Sequence, residues 1–430
     1  MINKIKFKKT EIGLIPKDWD VKSLNDISIV IDSCHKTPIY VNKGISMVRV
    51  TDVKSGSLDL SNTLKVTKSI YDEFTKNYIP KQNDIIMTRV GTYGITSFVN
   101  TTELFCLGQN TVIINPNINS YFLYYALNSK YILNQIEKNV GGSTQKTLSL
   151  GDIKKLLVIV PKNNNEMLKI AKILSDLDEK IELNRKMNQT LEEIGKTLFK
   201  RWFVDFEFPN EKGEPYKSSG GEMVYNKELK KEIPKGWDVG HLGDNNLTSF
   251  TKVGTEDFDE KTYVATADID NSEIINYNTK ITFIKRPSRA NMQPKENTVW
   301  FAKMKNSKKI TYFDKYSAWE LENLILSTGF AGLDIKENAL YYIWNFVLND
   351  DFEIIKNNLC NGTTMQAINN ENIQKIQILN PSNEILKKYN SMIRSTFIKI
   401  SENKRQNKKL SEIRDLLLPK LMSGKIRVKY

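Results

Sequence analysis

Two segments of the chain carry apolar residues at helical spacing over an unusual length. The first runs from Glu166 to Phe203 without a proline, and the second from about Asn383 to Leu418. Apolar residues that recur every three or four positions predict amphipathic helices. At about 1.5 Å per residue, the first helix is about 55 Å long. The stripe positions are Ile170, Leu174, Leu177, Ile181, Leu191, Leu198 and Trp202 in the first helix, and Tyr389, Ile393, Ile400, Leu410, Leu417 and Leu421 in the second.

Asparagines interrupt both stripes at matched places, Asn184 and Asn188 in one helix and Asn403 and Asn407 in the other. Two such helices in one chain most simply bury their stripes against each other as an intramolecular coiled coil. An asparagine in the seam costs stability but penalises shifted registers. The alternative is that the asparagines lie beside the seam and face solvent. The residues predicted to pair the helices and set their register are Ile170, Leu177, Ile181, Asn184, Asn188, Leu191, Leu198, Ile393, Ile400, Asn403, Asn407, Leu410 and Leu417.

The chain repeats one short segment in front of two divergent blocks. Ile-Pro-Lys-Asp-Trp-Asp-Val at 15–21 returns as Ile-Pro-Lys-Gly-Trp-Asp-Val at 233–239. Other matches follow at nearly the same offset, which indicates an internal repeat. Between these anchors the two copies hardly agree. One scaffold around two different inserts suggests a protein that reads two targets with one geometry.

The two blocks, residues 13–165 and 231–383, each predict a mixed α/β domain. Strands are predicted at Asp84–Thr88, Thr111–Asn115 and Thr298–Ala302, and helices at Tyr121–Ile136 and Leu340–Asn349. The predicted fold class is α+β, with two globular domains separated by two long helices in a pseudo-twofold repeat. We expect a first domain at 1–165, a long helix at 166–204, a connector at 205–228, a second domain at 229–383, and a second long helix with a tail at 384–430.

Composition is that of a globular protein, and the charge indicates a polyanionic partner. The 430 residues are 40% hydrophobic and no run approaches a membrane span, so we expect a cytoplasmic protein. The net charge is +13. Residues 1–165 hold about 21 basic and 13 acidic side chains, residues 229–383 about 18 and 20, and residues 384–430 about 13 and 4. The first insert is therefore basic and the second is not.

No set of catalytic or metal-binding residues stands out. The three cysteines are scattered and the two histidines complete no site. Gly195-Lys196-Thr197 imitates the end of a phosphate-binding loop, but Thr190 occupies the position of the required glycine, and the segment lies inside a helix. A dinucleotide fingerprint and the tetrapeptide of amino-methyltransferases are both missing from the sequence. We expect a non-catalytic chain that binds no metal or cofactor itself.

The signals for binding are better. Asp84 to Gly94 predicts a strand that enters a glycine-rich loop carrying Arg89 and Tyr93. Such a loop brings backbone donors and a guanidinium to phosphates or guanine edges. The alternative is an ordinary hairpin turn with a solvated Arg89. The lysines of the second insert are assigned to phosphate contact. The candidates for DNA contact are Lys36, Arg49, Thr88, Arg89, Thr92, Tyr93, Gln109, Lys146, Lys285, Arg286, Arg289, Lys303, Lys305, Lys308 and Thr328.

Polar glycine-led loops precede both long helices. They are Gly142-Ser143-Thr144-Gln145 and Gly362-Thr363-Thr364-Met365-Gln366, at equivalent positions of the repeat. Each loop either touches nucleic acid or forms the turn that sets the entry into the next strand.

With these features in this order, the chain resembles the specificity subunits of type I restriction-modification systems. The resemblance rests on the two start segments, the strand and loop at 84–94, Trp300 to Lys303, Leu326 to Phe330, and Leu198 to Phe206 after the first helix. It covers essentially the whole chain. One departure is visible: where the family often has Glu-Gln at each helix start, Met167 and Ile385 follow the glutamates.

The resemblance implies two target recognition domains, each of which reads one half of a bipartite, asymmetric site in double-stranded DNA. It implies that the long helices pair antiparallel, set the gap between the half-sites and dock two modification subunits. Adenine methylation with S-adenosylmethionine, and cleavage with ATP and Mg²⁺, would belong to the modification and restriction subunits. The competing interpretation is a non-catalytic scaffold or decoy that binds protein partners with little specific DNA recognition.

Overall fold

The computed structural model describes residues 6–142, 146–363 and 365–428. The chain forms two compact units, unit 1 with residues 1–182 and 407–430, and unit 2 with residues 183–406. Both divisions fall inside the long helices rather than at their ends. Each unit therefore contains one globular block and one part of each long helix. This differs from the sequence-based division, which separated the blocks from the helices.

Unit 1 is a mixed α/β domain of short elements. Its strands are β1 (Phe7–Thr10), β2 (Gly13–Pro16), β3 (Trp19–Ser23), β4 (Ser28–Asp32), β5 (Ile45–Val48), β6 (Gly56–Ser57), β7 (Leu64–Val66), β8 (Ile85–Thr88), β9 (Thr96–Phe98), β10 (Phe105–Leu107), β11 (Thr111–Pro116) and β12 (Leu157–Pro161). Its short helices are α1 (Leu24–Ile27), α2 (Lys68–Phe74), α3 (Ser120–Leu127), α4 (Lys130–Asn139) and α5 (Leu150–Lys155). The main sheet has the order β4-β11-β8-β9-β6, and a second sheet has the order β10-β5-β7.

The central strands of unit 1 are buried on both faces, as their unbroken apolar runs predict. Ile85 and Ile114 lie in the core that includes residues of α3, α4 and α5. Ile86 and Ile113, whose side chains point to the other face, pack with Phe105 of the second sheet. The main sheet is thus held between two hydrophobic layers, which fixes the loops at its ends.

Unit 2 repeats this plan with different loops. Its strands are β13 (Met223–Asn226), β14 (Lys231–Pro234), β15 (Asp238–His241), β16 (Thr248–Phe250), β17 (Lys261–Val264), β18 (Ile269–Asp270), β19 (Glu273–Ile274), β20 (Lys280–Ile281), β21 (Ala290–Met292), β22 (Thr298–Ala302), β23 (Ile310–Phe313), β24 (Leu324–Ser327), β25 (Phe330–Ile335) and β26 (Gln377–Asn380). The strand order β16-β25-β22-β23 corresponds to β4-β11-β8-β9, and β24-β17-β20 corresponds to β10-β5-β7. The predicted internal repeat of mixed α/β domains is confirmed.

Helices complete unit 2 and cross the division between the units. The long helices are α6 (Asn164–Phe199), which continues into a π-helical turn (Lys200–Val204), and α11 (Asn383–Met422). The short helices of unit 2 are α7 (Ala318–Asn323), α8 (Leu340–Leu348), α9 (Asp350–Asn358) and α10 (Asn370–Ile373). In the part of the chain that the structure describes, no helix combines the length and the apolar character needed to cross a membrane.

The structure refines two sequence-based boundaries. The proline-free stretch of the predicted second helix ended at about Leu418, and α11 continues through Pro419 to Met422, so it includes the predicted stripe position Leu421. Leu421 and Met422 are buried in the core of unit 1, and this burial favours one further turn. The predicted connector is also ordered in part: Phe208 is buried and stacks on Trp237 at a centroid distance of 5.1 Å. The segment after the first helix is therefore part of the unit 2 core.

Candidate nucleic-acid interface

Three backbone segments of unit 1 meet at one end of its main sheet. We define platform 1 as the turn 89–95, the turn 108–110 and the segment 146–148. The Arg89 N–H donates to the Asn110 carbonyl at 2.8 Å, and the Arg89 carbonyl accepts from the Leu148 N–H at 2.8 Å. The Gly91 N–H donates to the Lys146 carbonyl at 3.2 Å. These bonds hold the three segments as one surface.

Unit 2 contains the same arrangement. We define platform 2 as the turn 303–309, the turn 327–329 and the segment 366–368. The Lys303 N–H donates to the Gly329 carbonyl at 2.9 Å, and the Lys303 carbonyl accepts from the Ile368 N–H at 2.9 Å. The Lys305 N–H donates to the Gln366 carbonyl at 3.0 Å. Lys303 therefore occupies the place that Arg89 has in platform 1.

The glycine-led loops of the sequence lead into the last segment of each platform. Isolated backbone bridges join Gly141 to Thr147 and Asn361 to Ala367. Ser143, Thr144, Gln145 and Thr364 lie outside the described residues. The described ends of both loops are thus adjacent to the turns that carry Arg89 and Lys303.

Arg89 is neither free nor solvated. Its Nη1 lies 2.6 Å from Asp32 Oδ1 and 2.7 Å from Oδ2, and its Nε donates to the Leu148 carbonyl at 3.2 Å. Only 13% of the side chain is exposed. The alternative of an ordinary turn with a solvated Arg89 is therefore wrong. Contact between Arg89 and DNA stays a prediction. In such a contact Arg89 would either bind DNA while still paired with Asp32 or leave Asp32 for DNA.

Thr88 cannot contact a ligand in this structure. It is fully buried, and its hydroxyl accepts from the Ile95 N–H at 3.0 Å. The prediction that Thr88 binds DNA is wrong, because β8 is covered on both faces and the hydroxyl is needed to close the turn. Thr92, three residues before Ile95 on the same turn, is exposed.

The other candidates of unit 1 surround platform 1. Tyr93 donates to Glu137 at 3.0 Å, and the exposed Lys146 ammonium lies 5.9 Å from the centre of the Tyr93 ring. Gln109 donates to the Thr37 hydroxyl at 3.5 Å. Lys36 and Arg49 are engaged locally by carboxylates, with Glu73 and Asp52 respectively. The structure thus brings Arg89, Gln109, Tyr93 and Lys146 together, with Lys36 in the loop beside them.

Platform 2 gathers most of the candidates of unit 2. Lys303 donates from Nζ to the Thr328 carbonyl at 3.2 Å, and burial lowers the pKa of Lys303. The Thr328 N–H donates to the Arg289 carbonyl at 2.8 Å, so residues before β21 also reach this surface. Arg286 is held with its guanidinium 3.8 Å from the centre of the Phe283 ring.

The remaining candidate cations of unit 2 differ in solvent exposure and in whether they form an ion pair. Lys285, Arg289 and Lys305 are exposed. Lys308 is paired with Asp350 at the start of α9. The exposed three fit the predicted role in phosphate contact better than Lys308 does, because no acidic partner competes for them in the ion pairs of the described residues.

The long helices pair antiparallel within each unit. In unit 2, the Asn403 side-chain amide donates to Asn188 Oδ1 at 2.8 Å, and the Asn184 amide donates to Gln406 Oε1 at 2.7 Å. In unit 1, the Arg414 guanidinium donates to Asp178 at 2.8 Å. Along α6 from Asn184 to Asn188, the partner on α11 moves back from Gln406 to Asn403, as antiparallel helices require.

The seam is apolar around these polar contacts. Ile170, Ile181, Ile393 and Ile400 are buried, as are Asn184, Asn188, Asn403 and Asn407. Leu177, Leu191, Leu198, Leu410 and Leu417 are half-buried. The alternative in which the asparagines face solvent is contradicted by their burial; their role in fixing the register stays a prediction.

Sequence reasoning missed the partners that position these groups. Asp32 holds Arg89, and Asp178 joins Arg414 to the Tyr125 hydroxyl, which donates to it at 2.7 Å. Arg427 of the tail and Lys356 of α9 were also missed. Each makes contacts far away in the sequence, so local patterns gave no signal for them. Among the described residues, no group of three or more histidine, cysteine, aspartate or glutamate side chains is placed to hold a metal ion.

Comparison with known proteins matches residues 16–193 to a family model described as "Type I restriction modification DNA specificity domain". The type I restriction enzyme MjaIX specificity subunit of Methanocaldococcus jannaschii is 30% identical, over 98% of this chain and 96% of the relative. The HindI specificity subunit of Haemophilus influenzae is 24% identical, over 95% of this chain and all of the relative. A crystal structure of an S subunit from M. genitalium aligns with 17% identity and a TM-score of 0.49, covering 97% of this chain and 96% of that one.

Proposed function

The chain belongs to the family of type I restriction-modification specificity subunits, and we propose that it is the DNA-recognition subunit of such a complex, with platforms 1 and 2 each reading one half of an asymmetric bipartite site. The observation that carries this proposal is the repetition of one backbone platform with different side chains. Arg89 and Gln109 in platform 1 correspond to Lys303 and Thr328 in platform 2. One geometry with two chemistries suits two different half-sites.

The two platforms differ in how they would grip DNA. Platform 1 lies in a basic insert, whereas the insert around platform 2 has a slight acidic excess and presents its cations as Lys285, Arg289 and Lys305. Exposed lysines suit phosphates, which position a protein without specifying a base. Methyl transfer and cleavage are assigned to partner subunits, and with DNA as the target the chain belongs in the cytoplasm. The relatives are specificity subunits, which favours this function over the scaffold alternative.

The experiment that tests this function is the mapping of adenine methylation in a host that expresses the chain with its modification subunit. A gapped, asymmetric motif is expected, and it should vanish when this chain is omitted. Methylation without such a motif would reject the proposal.

Replacing Gln109 with alanine should relax base preference in one half of the motif and leave the other half intact. An amide that bonds a base edge in two places contributes about 1–3 kcal/mol of discrimination, so at least one position should accept a second base. Methylation mapping measures this result. Lys305→Ala is the contrasting variant, because loss of a phosphate contact should weaken binding equally on all sequences and reduce the salt slope by about one. Equal loss across all sequences for Gln109→Ala would contradict base reading by that residue.

A second apolar line on α6 supports docking of a partner helix. Leu183, Met187 and Ile194 are exposed, and their spacing continues along one side of the helix. The same side carries an open groove of about 400 Å³, lined by Thr190, Glu193, Ile194, Thr197, Leu198 and Arg201. An apolar groove edged by opposite charges fits an amphipathic helix.

Exposed apolar residues followed by a cation recur at matching positions of α11. Ile413 and Leu416 are exposed, and Lys420 follows them at the spacing that Arg201 has after Ile194. We define patch A as Ile194, Thr197 and Arg201, and patch B as Ile413, Leu416 and Lys420. Two equivalent patches support the docking of two copies of one partner, the modification subunit.

Ile194→Glu and Ile413→Glu should each reduce the number of bound modification subunits from two to one, because a carboxylate buried in an apolar contact is costly to desolvate. The double variant should bind none. Native mass spectrometry of the co-expressed complex measures the count. Gln189→Glu is the control, since it adds the same charge to α6 roughly 140° around the helix from Ile194. Loss of both subunits in one single variant, or of none in the double variant, would reject the two-patch proposal.

A further inference from the structure

Two isoleucines are far more exposed than the other large hydrophobic residues that the structure describes. Ile284 is 91% exposed and Ile39 is 80% exposed, while the next values are 67%. A single exposed apolar residue needs no explanation. These two, however, lie one in each unit, and each stands on a loop that borders a platform.

Ile39 lies on the irregular loop between β4 and β5. The Ser33 N–H of this loop donates to the Thr111 carbonyl at 3.2 Å. The Thr37 hydroxyl, two residues before Ile39, accepts from Gln109 at 3.5 Å. The loop is therefore fixed beside the 108–110 turn of platform 1, with Ile39 following Pro38.

Ile284 lies at the tip of a turn between β20 and β21. Phe283 packs edge-on against Phe258 at a centroid distance of 5.8 Å. The Arg286 guanidinium lies over the Phe283 ring and donates to the Phe283 carbonyl at 2.8 Å. These contacts hold the residues on both sides of Ile284 and leave its own side chain free. The same loop ends at Arg289, whose carbonyl accepts from Thr328 of platform 2.

The two loops are not equivalents in the repeat. One precedes the parallel pair of β5 and β10, and the other follows β20. Both nevertheless pack against the same turn of the platform, at Gln109 in unit 1 and Thr328 in unit 2. Two unrelated loops, each of which carries an exposed isoleucine, are thus anchored at corresponding turns of the two platforms.

Cations are frequent on both loops. Residues 33–51, between Asp32 and Asp52, contain Lys36, Lys43 and Arg49, of which Lys36 pairs with Glu73 and Arg49 with Asp52. Residues 274–295 contain Lys280, Lys285, Arg286, Arg289 and Lys295 and no acidic residue, although the insert as a whole has an acidic excess. An apolar tip among cations fits a polyanion with an apolar interior, which is the character of stacked bases inside a phosphate backbone.

We propose that Ile39 and Ile284 are apolar wedges that insert between neighbouring base pairs, one in each half-site. The inference rests on the proposed function. Unstacking one step costs a few kcal/mol, and burial of the side chain with added phosphate contacts offsets that cost. The wedges also favour steps that unstack easily, so they add sequence preference without a hydrogen bond to a base.

The test uses the complex of this chain with its modification subunit and a duplex that carries the methylated motif. Single 2-aminopurine substitutions are placed through both half-sites, away from the methylated adenines, because the fluorescence of this base rises when it is unstacked. The wild-type complex should give a rise at one step in each half-site. Ile39→Ala should abolish the rise in one half-site, and Ile284→Ala the rise in the other. Each should weaken binding on the order of tenfold.

Leu14→Ala and Tyr225→Ala are matched controls, because both residues are exposed and lie on the hairpins β1–β2 and β13–β14. Neither should change the fluorescence or the affinity. If the wild-type complex does not prefer its motif over unrelated DNA, the proposed function itself fails. If it does prefer the motif but no step unstacks, the wedge is rejected alone. Weaker binding of the isoleucine variants without a change in fluorescence would indicate surface contact and would also overturn insertion.

Discussion

Replacing Arg427 with alanine should destabilise unit 1 by about 3 kcal/mol. Arg427 donates from Nη2 to Glu166 at 2.8 Å and from Nη1 to Asp18 at 3.0 Å. Glu166 lies in the first turn of α6, and only 1% of its side chain is exposed. Without Arg427 it retains the Trp19 indole N–H, which donates to it at 3.2 Å. Breaking a buried ion pair costs about 3–5 kcal/mol, and the lower end applies because a quarter of the Arg427 side chain is exposed.

Hydrogen exchange of the full chain, followed by mass spectrometry, measures this effect locally. Amides of β3 and of the first turns of α6 should exchange faster in Arg427→Ala than in the wild type, with a smaller change in Arg427→Lys, which keeps the charge but loses the fork. Lys172→Ala is the control, since it removes an exposed ion pair on the same helix. Exchange in Arg427→Ala that matches the Lys172 control would refute the role of the tail.

The defect of Arg427→Ala should shrink in acid. The hydrogen bond from Arg427 lowers the pKa of Asp18 below its usual range. A carboxyl with a lowered pKa in the folded state stabilises that state above its ordinary pKa, and the contribution is lost as the pH falls through the lowered value. The variant lacks this contribution at every pH. The difference in exchange between the two proteins is therefore greatest near neutrality.

The Arg427 contacts explain the repeated start segment better than the sequence alone does. The sequence marked Trp19 and Trp237 as equivalent, and both are buried. In unit 1, Gly424 of the tail lies against the Trp19 ring, so close that an added Cβ would be 3.4 Å from it. In unit 2, Phe208 stacks on Trp237. The tryptophan of each start segment thus packs against the segment that follows one of the long helices. Its partners lie hundreds of residues away or differ in type, so the repeat could not identify them.

The long helices and central strands were predictable because their signals are local and periodic. The apolar stripe predicted α6 to within a few residues at each end, and the start of α11 was predicted at Asn383. The platforms were not predictable as equivalents. The separation in sequence between Arg89 and Lys303 is about six residues shorter than the separation between Leu148 and Ile368. The intervening loops of the two units differ in length, so one fixed offset does not align both pairs. Only the backbone hydrogen bonds reveal that the two residues correspond.

Replacing Lys356 with methionine should destabilise unit 2 by about 3–5 kcal/mol and alter one half of the recognised motif. Lys356 is 1% exposed and lies 2.8 Å from Glu353. Its ammonium also donates to the carbonyl of Ala302 at 3.2 Å, directly before the 303–309 turn of platform 2, and to the carbonyl of Ser307 at 3.0 Å, within that turn. Methionine fills similar space but leaves the Glu353 carboxylate and both carbonyls without this donor.

The methylated motif distinguishes a positioning role of Lys356 from a general loss of folding. The variant should methylate a motif that is relaxed in the half read by platform 2, while the half read by platform 1 keeps its bases. Adding Glu353→Gln should recover part of the stability, because the stranded charge is gone, but should not restore the bases, since the carbonyls of Ala302 and Ser307 remain unpaired. Lys308→Met is the control: it makes the same substitution in the same turn, where the lysine pairs with an exposed Asp350. Chemical denaturation and methylation mapping measure the two effects, and an unchanged motif in Lys356→Met would show that the turn does not depend on this lysine.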